Sequence, residues 1–164
     1  MKDLSARKSL NIKVSYYYSP IGYLEIGGTD ENIVSVNFLD ANPARDAQVS
    51  PLLEDCIQQL GEYFQKKRQK FDLPLLPEGT SFQKLVWKKL LEIPFGAANS
   101  YLDIAKRIGD PKAIRAVGAA NGKNPISIVV PCHRVIGANG KLIGYGGGLW
   151  RKEWLLRHEQ SVML

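Results

Sequence analysis

Apolar and polar positions alternate along three early stretches of the chain: 12–19 (IKVSYYYS), 23–28 (YLEIGG) and 32–39 (NIVSVNFL). A period of two, carried by β-branched and aromatic residues, predicts half-buried strands. The turn-forming residues at 20–22 and 29–32 join them into a three-stranded antiparallel meander. After a polar loop at 40–50 the period changes. Pro51 opens a helix whose apolar positions, Leu52, Leu53, Cys56, Ile57, Leu60 and Phe64, recur at three- and four-residue intervals. Cys56 therefore belongs to a packed face and is read as core.

The stretch DLPLLPEGT at 72–80 carries two prolines and a glycine between periodic segments. It predicts a boundary, with one α/β domain at 1–78 and a second, mostly helical domain at 79–164. Segment 81–93 (SFQKLVWKKLLEI) places Phe82, Leu85, Val86, Leu90 and Ile93 on one helical face, and Pro94 and Gly96 end it. A short helix follows, with Ser100 as its N-cap, Asp103 in a capping-box position and Gly109 at its end. Asp110 is then expected to cap a second short helix with Pro111 at its first position. Two short helices across a Gly-Asp turn make a helix-turn-helix candidate. The apolar run at 126–130 reads as a strand-like support, and the glycine-rich bend at 144–148 leads into a last helix that carries Glu159.

Charge sharpens this division. Residues 1–78 hold nine Lys/Arg against eleven Asp/Glu, a net of −2, and residues 79–164 hold thirteen against five, a net of +8. A basic half suggests a polyanion partner, nucleic acid being the simplest, although a merely solvated basic surface would look the same. No apolar run reaches the roughly 20 residues of a membrane helix, and MKDLSARKSLNIKV contains no secretion-signal core. A cytoplasmic protein with free thiols at Cys56 and Cys132 is expected. With only His133 and His158 as histidines, no zinc-site spacing occurs, and neither metal nor cofactor is expected.

Two features carry candidate chemistry. The second short helix is nearly bare: Ala116, Gly118, Ala119 and Ala120 are small, and Arg115 is its one long central side chain. Such a helix either packs closely on a neighbour or approaches a narrow DNA groove, with the arginine intruding into the base stack. In ISIVVPCHRVIG (126–137), Pro131 ends the apolar run at Cys132, with His133 and Arg134 adjoining. A buried cysteine is usually an inert small hydrophobe. A thiol beside a histidine base and an arginine charge can equally be an activated nucleophile. The residues alone leave that choice open.

NPISIVVPCHRVIG, SYLDIAKRIG, IRAVGAANGKNP and GYGGGLWRKEWLLRHE together resemble the methylated-DNA–protein-cysteine methyltransferases, and the match runs from about residue 79 to 159. The segment before it matches in outline the family's ribonuclease-like sheet-and-helix domain. The resemblance implies repair of O6-alkylguanine, and of O4-alkylthymine, by irreversible transfer of the alkyl group to Cys132 after minor-groove binding and base flipping. It assigns His133, acting through a water, to thiolate formation and Glu159 to orienting His133. Asn124 would tie the helix-turn-helix to the active-site segment. Arg115 would fill the gap left by the flipped nucleotide, and Ala116, Gly118 and Ala119 would permit close approach to DNA. Tyr101 would crowd the phosphate and donate a proton to the departing guanine. Tyr145 would wall the base pocket, with a backbone contact from Val135. Ser127 and Ile143 line the expected pocket where some members carry Pro and Gly, and Gly146 stands where some carry Ser. The implied partner is double-stranded DNA with an O6-alkylguanine, bound by a monomer that can cooperate along DNA. Competing readings are a base-flipping sensor of the alkyltransferase-like type, whose members replace the acceptor cysteine, and a Cys-His hydrolase.

Overall fold

The computed structural model describes residues 11–160, which fold as a mixed α/β chain in two units that divide between Pro77 and Glu78. In the first unit, β1 (Lys13–Ser19), β2 (Gly22–Gly28) and β3 (Ile33–Phe38) form an antiparallel meander in that order. Leu24, Ile26 and Val36 are fully buried. Helix α1 (Pro51–Phe64) contributes Leu53, Cys56, Leu60 and Tyr63 to the same core. Cys56 is thus a core residue, and burial pushes its thiol up to about 12, which makes it inert. The proline-rich segment is also part of the sheet: Ile33 N–H donates to the Pro74 carbonyl, and Leu76 N–H to the Ile33 carbonyl.

The second unit is built from α2 (Ser81–Leu90), α3 (Tyr101–Arg107), α4 (Ile114–Gly122) and α5 (Leu149–His158), with a two-residue parallel ladder between β4 (Asn99–Ser100) and β5 (Val135–Ile136). Capping boxes start α2 (Thr80 with Gln83) and α3 (Ser100 with Asp103). Helix α3 stops at Gly109, which has φ +87°. There Gly109 N–H reaches the Lys106 carbonyl and Asp110 N–H the Ala105 carbonyl, a Schellman ending that reverses the chain toward α4. Trp87 of α2, 2% exposed, donates from Nε1 to the Ala120 carbonyl at 2.8 Å and pins α4 to the core.

Two expectations need correction. Helix α4 begins at Ile114, not at Pro111. The Asp110 carboxylate accepts from Lys112 N–H at 3.1 Å, so it closes a local turn instead of capping a helix. The run at 126–130 is not strand-like. Val129 N–H bonds back to the Ser127 carbonyl around Ile128, whose φ is +73°. Cys132 N–H bonds back to the Val130 carbonyl around Pro131, at φ −82° and ψ 63°. These are two γ-turns, the first in the strained form that a β-branched residue rarely adopts.

Candidate active site

The two turns set Cys132 at the start of a single 3-10 turn, Cys132–Arg134. Asn124 holds them in shape. Its amide nitrogen donates to the carbonyls of Val130 (2.8 Å) and Ile126 (3.4 Å), and its oxygen accepts from Ile126 N–H (3.0 Å). The same side chain favours the ionised form of the Cys132 thiol. Asn121, one turn earlier on α4 and not singled out by the sequence, donates to the Cys132 carbonyl at 3.3 Å. Strain at Ile128 is therefore over-determined by side chains from the helix-turn-helix.

Cys132 is 5% exposed. Burial pushes its thiol above the ordinary value, while the Asn124 hydrogen bond and the Lys152 charge pull it back. His133, fully buried, bonds through Nε2 to Glu159 at 2.8 Å. Its Nδ1 has no hydrogen-bond partner among the described residues. Burial lowers the imidazole's affinity for a proton despite Glu159 beside it, so the ring is neutral near pH 7 and able to accept one. Burial would raise the Glu159 carboxyl, but His133 and Arg134 outweigh it and hold that group well below the usual carboxylate range.

Arg134 corrects an expectation about charge. Its guanidinium donates to both Glu159 oxygens (2.8 and 3.1 Å) and to the Ile93 carbonyl (2.6 Å). Its charge is committed to Glu159. The cation that acts on Cys132 is Lys152 of α5, fully buried. Lys152 Nζ donates to the carbonyls of Ile143 (2.8 Å) and Gly144 (3.3 Å). Burial lowers its pKa to about 8, opposed by attraction to Cys132. Only its position four residues beyond a glycine-rich bend could have flagged it, because its burial depends on packing distant in sequence.

A cavity of about 340 Å³ opens beside this cluster, lined by Tyr101, Ile114, Gly118, Asn121, Ile143 and Tyr145 among others. Tyr101 donates to the Ile143 carbonyl at 3.0 Å. Burial raises the Tyr101 and Tyr145 phenols, and the charge of Cys132 raises both further, so both remain protonated and close enough to the thiol to feel it. Ser127 acts on the Tyr145 phenol in the opposite sense, favouring its ionised form. Val135 lies buried in the β5 bridge to Asn99. Gly146 lies exposed on the bend, and space is open where a side chain would stand. Arg115, Ala116 and Ala119 are exposed on α4, and Gly118 is half-buried against Tyr101. The structure thus brings Cys132, His133, Glu159, Asn124, Tyr101 and Tyr145 into one locality, and leaves Arg115 on the outer surface of α4.

Residues 81–161 match the family described as 6-O-methylguanine DNA methyltransferase, DNA binding domain, and residues 12–77 match its ribonuclease-like domain. The chain belongs to this family. It is 49% identical over 150 residues to a methylated-DNA–protein-cysteine methyltransferase of Methanosarcina acetivorans, covering 88% of this chain and 96% of that protein. It is 48% identical over 146 residues to one from Mycolicibacterium paratuberculosis, covering 87% and 88%. Among solved structures, the O6-methylguanine methyltransferase of Mycobacterium tuberculosis superposes with a TM-score of 0.83 at 45% identity, covering 92% of this chain and 93% of that one. A structure of the M. tuberculosis protein OGT in complex with DNA gives 0.83 at 46%, covering 90% and 92%.

Proposed function

We infer that this protein binds double-stranded DNA and repairs O6-alkylguanine, and O4-alkylthymine, by moving the alkyl group to Cys132 in a single irreversible step. The observation that carries this reading is a buried thiol, supported by Asn124, Lys152 and a His133–Glu159 pair, behind a base-sized cavity that adjoins the bare helix α4. The thiol proton passes to neutral His133 through a water at Nδ1, and Glu159 stabilises the imidazolium that forms. Lys152 stabilises the thiolate. The sulfur attacks the alkyl carbon in line. The S–C bond forms as the C–O bond breaks, and the electron pair stays on the purine. Tyr101, released from the Ile143 carbonyl, donates a proton as guanine leaves and recovers one from the imidazolium. One proton leaves the thiol and one reaches guanine, so Tyr101 and His133 end as they began. The thioether is stable to water, so each molecule acts once.

On the DNA side, Ala116, Gly118 and Ala119 let α4 approach the minor groove closely, and Arg115 fills the gap left by the flipped nucleotide. Tyr145 walls the extruded base, with Ser127 behind its hydroxyl, and backbone at Val135 and Gly146 reads the base edge. A lesion pairs poorly, so flipping it costs less than flipping a normal base, which contributes selectivity. The family's sensor-like reading is disfavoured by Cys132 itself. The relatives above are archaeal and mycobacterial proteins, and a prokaryotic cytoplasm is the compartment in which we expect a monomer of this chain to work.

Substituting Arg115→Ala tests the flipping role. Methyl transfer from a duplex with one O6-methylguanine should slow by at least ~10-fold, on the order of 1.4 kcal/mol, while transfer from free O6-methylguanine base stays within about twofold, RT ln 2 being a few tenths of a kcal/mol. Equal loss in both assays would remove Arg115 from base flipping.

A further inference from the structure

Beyond the pocket, the exposed aromatic at the start of α5 is unaccounted for by the reaction. Trp150 is 58% exposed. Its neighbour Leu149 and the pocket-mouth residue Ile143 are also half-exposed. Yet the indole is held in place. The Arg151 guanidinium lies 4.7 Å from the ring centroid and donates to the Gly147 carbonyl at 3.0 Å. Below it, Gly148 adopts φ +96°, and a Cβ there would stand 3.3 Å from the indole Cδ1. Gly148 N–H in turn bonds to the Tyr145 carbonyl at 2.8 Å. One hydrogen-bonded turn thus links the indole to the wall of the base pocket. The indole belongs to the half of the chain with net charge +8, and the first turn of α5 has no acidic residue, its two cations, Arg151 and Lys152, being buried beneath it.

A rigidly backed indole in the basic half of the chain, one hydrogen-bonded turn from Tyr145 on the cavity wall, fits the aromatic face of a nucleobase. We propose that Trp150 is a stacking platform for a nucleobase of the strand that carries the flipped nucleotide, next to the one held in the pocket. The proposal rests on the DNA-repair reading and extends its interface from α4 across the glycine bend to α5. Every base has a π-face, so the contact adds affinity without sequence preference. The Arg151 cation on one indole face polarises the ring and stiffens it for a base on the other.

The test uses the full chain with Cys132→Ser, which holds lesion DNA without transfer, and a labelled duplex with one O6-methylguanine. Adding Trp150→Ala should weaken binding by roughly 5- to 150-fold, the range that loss of one stacked base gives. Adding Trp150→Phe should restore most of it, with the melting temperature of the free protein unchanged in both. Trp87 is buried and Trp154 stacks on His158, so fluorescence quenching on DNA binding should fall mainly in the Trp150→Phe protein. Affinity within twofold of the parent in the alanine protein overturns the platform while leaving lesion binding intact. Loss of self-association with unchanged DNA affinity also overturns it, assigning the indole to a second copy. If the parent itself fails to bind lesion DNA, the repair reading fails first, and the platform fails with it.

Discussion

Lys152 shows how much a single residue can contribute here. A fully buried ammonium with two carbonyl acceptors keeps most of its charge at pH 7, because burial lowers its pKa only to about 8 against the attraction of Cys132. Replacing it with Met should slow methyl transfer from DNA at pH 7 by roughly 10-fold, about 1.4 kcal/mol of lost thiolate stabilisation, read in single-turnover kinetics. Arginine should recover part of the rate. An unchanged rate in the Met variant would remove Lys152 from thiolate support. At His133 and Glu159 the same cluster sets acid stability. Both groups bind protons less readily folded than unfolded, so the unfolded state takes up more protons on acidification, and stability falls with pH. For His133 the loss begins below about pH 6.5, and for Glu159 below about pH 4.3, the unfolded values. A melting series from pH 8 to 3 should show both phases. Glu159→Gln should lower the melting temperature at pH 7 and flatten most of the lower phase. An undiminished lower phase in that variant would move the titration to other carboxylates.

Among the elements, the turn between α3 and α4 decides where the helix-turn-helix points. Gly109 lies at φ +87° with no atom within 4 Å of a notional Cβ, so an alanine there costs only its left-handed backbone, about 1–2 kcal/mol. Gly109→Ala should therefore lower the melting temperature by roughly 2–8 °C, while Gly122→Ala, with equal space and no positive φ, should cost less. A drop no larger than that of Gly122→Ala would mean that the turn tolerates a side chain. The sequence made α1, α2, α3 and the three strands legible because local periodicity and caps agree with the fold. It misplaced the start of α4, because Asp110-Pro111 suits a turn as well as a helix N-terminus. It also hid the γ-turns at Ile128 and Pro131, which exist only because Asn124 reaches three backbone groups across the run. A β-branched apolar run predicts a strand; long-range side-chain bonds override it.

Across the whole molecule, the division of labour follows charge. Among the described residues, the net −2 half carries the meander, α1 and an inert Cys56, while the net +8 half carries the thiol and α4. The chemistry of Cys132 was undecided from its immediate neighbours, because a thiol beside His and Arg is compatible with core or catalysis. Family resemblance pointed to the acceptor role, and the geometry supplies physical support for it: Arg134 is spent on Glu159, the Lys152 charge favours the thiolate, and a cavity stands beside two protonated phenols. The most direct measurement is the intact mass of the protein after mixing with an equimolar duplex holding one O6-methylguanine. The account predicts one added CH₂ per molecule, located on the peptide containing Cys132 and absent in Cys132→Ser, with guanine restored in equal amount and no further repair when more DNA is added. Unmodified protein, or guanine formed in excess of protein, would contradict it.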